Sequence, residues 1–171
     1  MIPTITKECG QFLEESRRKA LIKMLPTEGI GFRRVKVRKK DWDSSFISSF
    51  NNAFNDYKNL MQRCVLASSE PEEIVGREPF YIFPVDGYQY LYSPAVESAK
   101  NHYEGLFHKI SDCVKEHSVD LFMDILQSEY VSDNIEIALE HNYEIILYDI
   151  PYYYAVRKSI VDDYKTLIYD I

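Results

Sequence analysis

The stretch from Phe80 to Tyr92, reading FYIFPVDGYQYLY, most constrains the fold. Two aromatic, strand-favouring runs flank an Asp-Gly pair. Asp and Gly tolerate the left-handed backbone of a tight turn, so the pattern predicts a β-hairpin turning at Asp86-Gly87. Pro84 lies inside the first run and removes a backbone donor, which implies a sheet edge or a bulge there. A second pair of runs, residues 143–149 and 152–157, reads as two more strands joined by a turn at Ile150-Pro151. By alternation, Glu144 and Ile146 share one face of the first run, while Tyr143, Ile145 and Leu147 share the other.

Shorter strands are predicted over residues 19–25, stopped by Pro26, and over 63–67, which runs into the polar turn Ser68-Ser69-Glu70-Pro71. Residues 33–40, RRVKVRKK, alternate weakly and carry too much charge for a central strand. They read as an edge strand or an exposed basic loop. Helical spacing is clearest at Phe46, Phe50, Phe54, Tyr57 and Met61, giving a core-facing helix over roughly 44–61. Asp43 or Ser44 serves as its N-cap. Other helices are expected over 5–17 with Thr6 as cap, over 95–116 and 118–128, from Ser132 or Asp133 to about 141 with Asn142 as its stop, and over 159–168. Strands mixed with helices in this order predict one α+β domain spanning residues 1–171, a mixed or antiparallel sheet with flanking helices.

A hydrophobic fraction of 46% is enough for a packed core. No apolar run reaches the ~20 residues of a membrane-spanning helix, and the first residues lack the basic start and apolar stretch of an export signal. Cys9, Cys64 and Cys113 are an odd number at unpatterned spacing. They read as reduced thiols in an intracellular protein, and the absence of a CxxC excludes a zinc ribbon. The net charge of −7 conceals an asymmetry. Residues 1–40 hold 11 basic and 4 acidic side chains, and residues 101–171 hold 5 basic and 14 acidic. An acidic whole disfavours general nucleic-acid binding. The run Arg33, Arg34, Lys36, Arg38, Lys39 and Lys40 fits either a solvated edge or a contact to phosphate or nucleic acid.

Common cofactor and nucleophile motifs are absent: no GxGxxG, Walker loop, HExxH or GxSxG occurs. Cys113 and His117 lie four apart, too few ligands for a metal site. Ser68-Ser69 at a strand end and Glu144 within an apolar run are the most suggestive pair. A carboxylate in such a run either points to water or is held for a purpose.

Several segments resemble a family of phage proteins similar to ADP-ribosyltransferases. ECGQFLEES at 8–16 resembles the family's opening helix, and VRKKD at 37–41 precedes the amphipathic helix. FYIFPVDGYQYLYSP at 80–94 resembles its block of Phe-Pro, Gly, spaced tyrosines and Ser-Pro. NIEIALEHNYEIILYDIPYYYAV at 134–156 resembles its closing helix, Glu-Ile strand and paired tyrosines. The resemblance implies an ADP-ribosyltransferase-like fold that takes NAD as substrate. Glu144 would be the catalytic carboxylate and Ser68 its supporting hydroxyl, with Lys23, Ser69, Tyr81 and Tyr90 contacting the cofactor. It further implies a host macromolecule as target, protein before nucleic acid, with action in the host cytoplasm or from the virion. Where the family has Arg then Gly on its first strand, this chain has Lys23-Met24. Lys lacks the bidentate fork of Arg. The polar pair before the serine strand is replaced by Leu60-Met61-Gln62. A binding or inhibitory module without transfer activity, or a virion interaction protein, is the alternative.

Overall fold

Two antiparallel sheets organise the computed structural model, which describes residues 1–54, 58–96, 98 and 118–163. The four-stranded sheet has the order β1-β4-β7-β2, from Ile22–Pro26, Arg77–Pro84, Tyr152–Arg157 and Phe32–Lys36. The three-stranded sheet has the order β3-β6-β5, from Val65–Ala67, Ile145–Tyr148 and Gln89–Tyr92. Around them lie α1 (Ile2–Glu8), α2 (Gly10–Glu15), α3 (Ser45–Ala53), α4 (Ser118–Glu129), α5 (Ile135–Glu140) and α6 (Lys158–Asp163). The architecture is α+β.

Alternation along the β6 strand divides the core in two. Ile145 and Leu147 join a cluster with Phe12 of α2, Leu139 of α5 and Tyr81, Phe83 and Val156 of the larger sheet. Ile146 and Tyr148 face the opposite way, against Phe46 and Phe50 of α3 and Phe122 and Leu126 of α4. The smaller sheet is therefore buried on both faces, which is why YEIILYD carries so many apolar residues.

The expected hairpin at Asp86-Gly87 is instead a corner. Strands do flank Asp86-Gly87, but β4 pairs with β1 and β7 whereas β5 pairs with β6. With both edges of β4 occupied, a hairpin partner has nowhere to dock. A two-residue type I′ turn also needs positive φ at both central residues, and only Gly87 adopts it, at φ 92°. The corner is clamped onto the α1–α2 junction. Asp86 N donates to Glu8 O at 2.8 Å, Gln11 N donates to the Asp86 carboxylate at 2.8 Å, and Gly87 N donates to the Gln11 side-chain oxygen at 2.8 Å. The turn at Ile150-Pro151 likewise carries the chain from β6, central in one sheet, to β7, central in the other. Pro84 needs neither an edge nor a bulge, because it is the last residue of β4.

Element ends differ from expectation for local reasons. The predicted 5–17 helix is two helices broken at Cys9, and Pro3 starts the first of them early. Thr6 therefore lies inside α1, where its hydroxyl donates back to Ile2 O at 2.9 Å rather than capping. Ser44 does cap α3, accepting from Ile47 N at 3.2 Å. That helix stops at Ala53 rather than 61, and Met61 opens a short 3₁₀ turn. Asn134, not Ser132 or Asp133, precedes α5, and Asn142 after it takes the left-handed conformation expected of a stop, with φ 54°. Glu144 sits just before β6 rather than within it. Residues 33–36 belong to an edge strand, as the charge pattern allows. Most of the helix expected over 95–116, residues 97 and 99–116 with His102, His108 and Cys113, lies outside the described residues, as do His117 and Tyr57.

An added Cβ at Gly87 meets nothing within 4 Å, so Gly87→Ala isolates the cost of the left-handed backbone. Urea denaturation should show a loss of about 1–2 kcal/mol with an unchanged m-value. An unaltered midpoint would mean that the corner can form without this conformation.

Candidate functional site at the seam of the two sheets

Two sheets that must not leave open edges meet where β1 and β3 run side by side. Ile22 N donates to Ser68 O at 2.7 Å, and Ser68 N donates to Ile22 O at 3.2 Å. Across the other side of β3, Val65, Leu66 and Ala67 pair with Leu147, Ile146 and Ile145. Ser68 follows Ala67 and Glu144 precedes Ile145, the last pair of that register. The loops beyond are stitched by one side chain: the Asn142 amide accepts from Glu70 N at 2.8 Å and donates to Glu70 O at 3.0 Å. The Ser69 hydroxyl reaches the same Asn142 oxygen at 3.4 Å. Ser68 and Glu144 thus lie at adjoining strand ends.

Lys23 joins them. It follows Ile22, is half-buried, and its Nζ donates to Leu66 O at 2.9 Å. The pairing of Ile22 with Ser68 shows why. Residues 64, 66 and 68 of the β3 segment point their backbone groups away from β6, and residues 22, 24 and 26 of β1 point theirs away from β4. Cations take the carbonyls left over. Lys40 donates to Cys64 O at 2.9 Å, with its Nζ 4.3 Å above the Trp42 ring. Arg77 donates to Met24 O at 3.3 Å, and Arg33 to Pro26 O at 3.0 Å. Buried carbonyls without partners are costly, and long basic side chains supply donors where no neighbouring strand does.

The electrostatics follow from this crowding. Burial first, then the neighbouring Lys40 and Arg77, pull the Lys23 ammonium from its ordinary 10.5 to about 8, while Cys64 and the Glu144 carboxylate act in the opposite direction. The Cys64 thiol is pushed up to about 11 by burial, and its Sγ donates to Met61 O at 3.2 Å. Burial thus favours the protonated thiol.

The remaining candidates are placed elsewhere. Lys23 pairs with Phe80 and Ile22 with Tyr81, so Tyr81 projects from the face opposite Lys23. Its hydroxyl meets the Asp162 carboxylate of α6 at 3.3 Å. Tyr90 pairs with Leu147, on the face of the small sheet away from Glu144, and its hydroxyl accepts from Ile135 N at 3.1 Å. From Tyr90 a row of near-parallel rings runs through Tyr92 and Tyr143 to His141. That row ends at an open cavity of about 510 Å³ beside Ser69, lined also by Arg18, Lys19 and Asn142. The basic run divides: Arg33 and Lys40 are tied to carbonyls, and Lys36, Arg38 and Lys39 are exposed. Among the described residues no group of three potential ligands is placed to hold a metal ion, and no helix is long and apolar enough to cross a membrane. Cys64, Arg77 and Lys40 were not singled out as members of the site. Their spacing carries no motif, because only the fold brings them to Lys23.

No family model, curated protein or solved structure matches the chain.

With a folded-state value of about 8, Lys23 should react with acetylating reagent at half its maximal rate near pH 8, read by peptide mass spectrometry. An exposed lysine needs about pH 10.4. The unfolded chain holds this proton up to 10.5, so the charged Lys23 costs stability below pH 8, and the cost disappears as pH rises from 8 to 10.5. Lys23→Met should flatten that rise relative to the unsubstituted protein. Parallel stability curves across this range would place the Lys23 pKa at an ordinary value.

Proposed function

We propose that this chain is a phage-encoded ADP-ribosyltransferase-like protein that binds NAD and transfers ADP-ribose to a host macromolecule, in the host cytoplasm or from the virion. The observation that carries the reading is the grouping of Ser68, Glu144 and Lys23 at the seam. The Glu144 carboxylate acts on the half-buried Lys23 ammonium, and Ser68 lies at the adjoining end of β3. NAD would supply a ribose carbon whose leaving group departs neutral, so positive charge develops on the sugar. Glu144, the only acidic group of the three, is suited to stabilise that charge. Ser68 would support the ribose by hydrogen bonding. Lysine has three donors, and the bond to Leu66 O uses one. The others suit a phosphate. Tyr90 would reach such a ligand only through the row of rings that ends at His141, and Tyr81 belongs to the opposite face.

A second reading is favoured by the carbonyl contacts of the cations. Lys23, Lys40 and Arg77 each hold a backbone oxygen, so the seam has a structural reason to exist without transfer. In that case the protein is a binding or inhibitory module on the same scaffold, against a host protein or a nucleic-acid complex.

Labelled NAD incubated with host lysate and the protein distinguishes the two. Transfer by the unsubstituted protein should fall by about 10²–10³ in Glu144→Gln, with the melting temperature of the variant nearly unchanged. Absence of labelling, together with NAD failing to raise the melting temperature, would eliminate the transferase and leave the binding module.

A further inference from the structure

The outer edge of β2 has no backbone partner anywhere along its length among the described residues. The β1 edge is closed by Ser68 and by the Arg77 and Arg33 side chains, and the β3 edge by Ile22, Lys23 and Lys40. On β5, Tyr92 exchanges both backbone bonds with Val131. β2 is paired with β7 on one side only. The bonds from Arg157 N to Gly31 O and from Val37 N to Pro151 O fix its phase. Residues 31, 33, 35 and 37 face β7, so the N–H and C=O groups of Phe32, Arg34 and Lys36 face outward. No described residue bonds to them, and the Arg34 and Lys36 side chains are exposed.

We propose that this edge accepts an extended, acidic segment of a partner protein as a fifth strand of the larger sheet. Strand addition draws affinity from main-chain bonds and specificity from alternate side chains, and both are on offer. The outward N–H and C=O groups match an extended peptide. Along the same face run Phe32, stacked on Tyr154 with centroids 5.6 Å apart, then Arg34, held 3.9 Å above the Tyr152 ring, then Lys36. Arg38 and Lys39 extend the positive charge beyond the strand. A partner strand with an apolar residue against Phe32 and carboxylates against Arg34 and Lys36 complements that order.

The same charges exclude two other occupants. A second copy pairing β2 with β2 would set these cations against one another. A DNA backbone offers acceptors to the cations but nothing to donate, so the outward carbonyls of Phe32, Arg34 and Lys36 would face phosphate oxygens; an RNA backbone offers only its 2′-hydroxyls to them. This inference holds whether or not the seam transfers ADP-ribose.

The probe is a fluorescent peptide of alternating Glu and Val, read by anisotropy against three comparators. These are a Lys/Val peptide, a Glu/Val peptide N-methylated at every second amide, and a single-stranded oligonucleotide of equal charge. The Glu/Val peptide should bind, should weaken with salt, and should slow amide hydrogen exchange at Phe32, Arg34 and Lys36. N-methylation on the pairing side should abolish binding. Arg34→Glu with Lys36→Glu should weaken it at least about tenfold, the scale of lost interface ion pairs, and both sites are exposed, so the fold should survive. Undiminished binding of the N-methylated peptide, unchanged exchange at those amides, or no binding would overturn the proposal. Tighter binding of the oligonucleotide would replace it with a nucleic-acid interface.

Discussion

A single pair of backbone hydrogen bonds, between Ile22 and Ser68, joins the edge of one sheet to the edge of the other. Sheet edges carry rows of unsatisfied donors and acceptors, and burying such groups without partners costs roughly 1–3 kcal/mol each. The chain resolves this where β1 meets β3 by pairing what can be paired and covering the rest with cations. Lys23, Lys40, Arg77 and Arg33 each close a carbonyl that no strand reaches. The candidate site is a by-product of that closure. Ser68 is there because it bonds to Ile22, Glu144 because β6 pairs with β3, and Lys23 because Leu66 needs a donor.

The charge asymmetry of the chain takes on a different meaning in this light. A local excess of cations over residues 1–40 suggests an electrostatic footprint for phosphate. In the fold those cations serve two purposes. Some end on backbone oxygens within the protein, and others line the open edge of β2. A cation bonded to a carbonyl is still charged, so the seam remains electropositive around Glu144. That helps to explain how a carboxylate is tolerated at the end of an otherwise apolar strand.

Tyrosine is used in the same economical way. The Glu8 carboxylate accepts from the hydroxyls of Tyr152 at 3.0 Å and Tyr154 at 2.7 Å, and these bonds, Tyr154 first, hold its carboxyl below the usual range. The Tyr88 hydroxyl bonds to Glu15. Each ring contributes apolar area to the sheet while its hydroxyl ties a strand to α1 or α2. This accounts for much of the aromatic content without a ligand, and it also anchors the α1–α2 junction that receives the Asp86-Gly87 corner.

Strand existence was readable from the sequence, because alternation, β-branched and aromatic content, and turn residues act within a few positions of one another. So were the Ser44 cap, the Asn142 stop and the edge character of the basic strand. Pairing was not readable. Asp86-Gly87 marks a reversal, but whether the two flanking strands bond to each other depends on whether β1 and β7 already occupy both sides of β4. The grouping of Ser68 with Glu144 was proposed from resemblance and from the oddity of a carboxylate in an apolar run. Lys40, Cys64 and Arg77 gave no such signal, since their nearness to Lys23 arises from edge closure between strands far apart in the chain. Local chemistry determined which segments are strands. Only the tertiary structure decided which edges remained open, because an edge is open or closed according to what the rest of the chain brings to it.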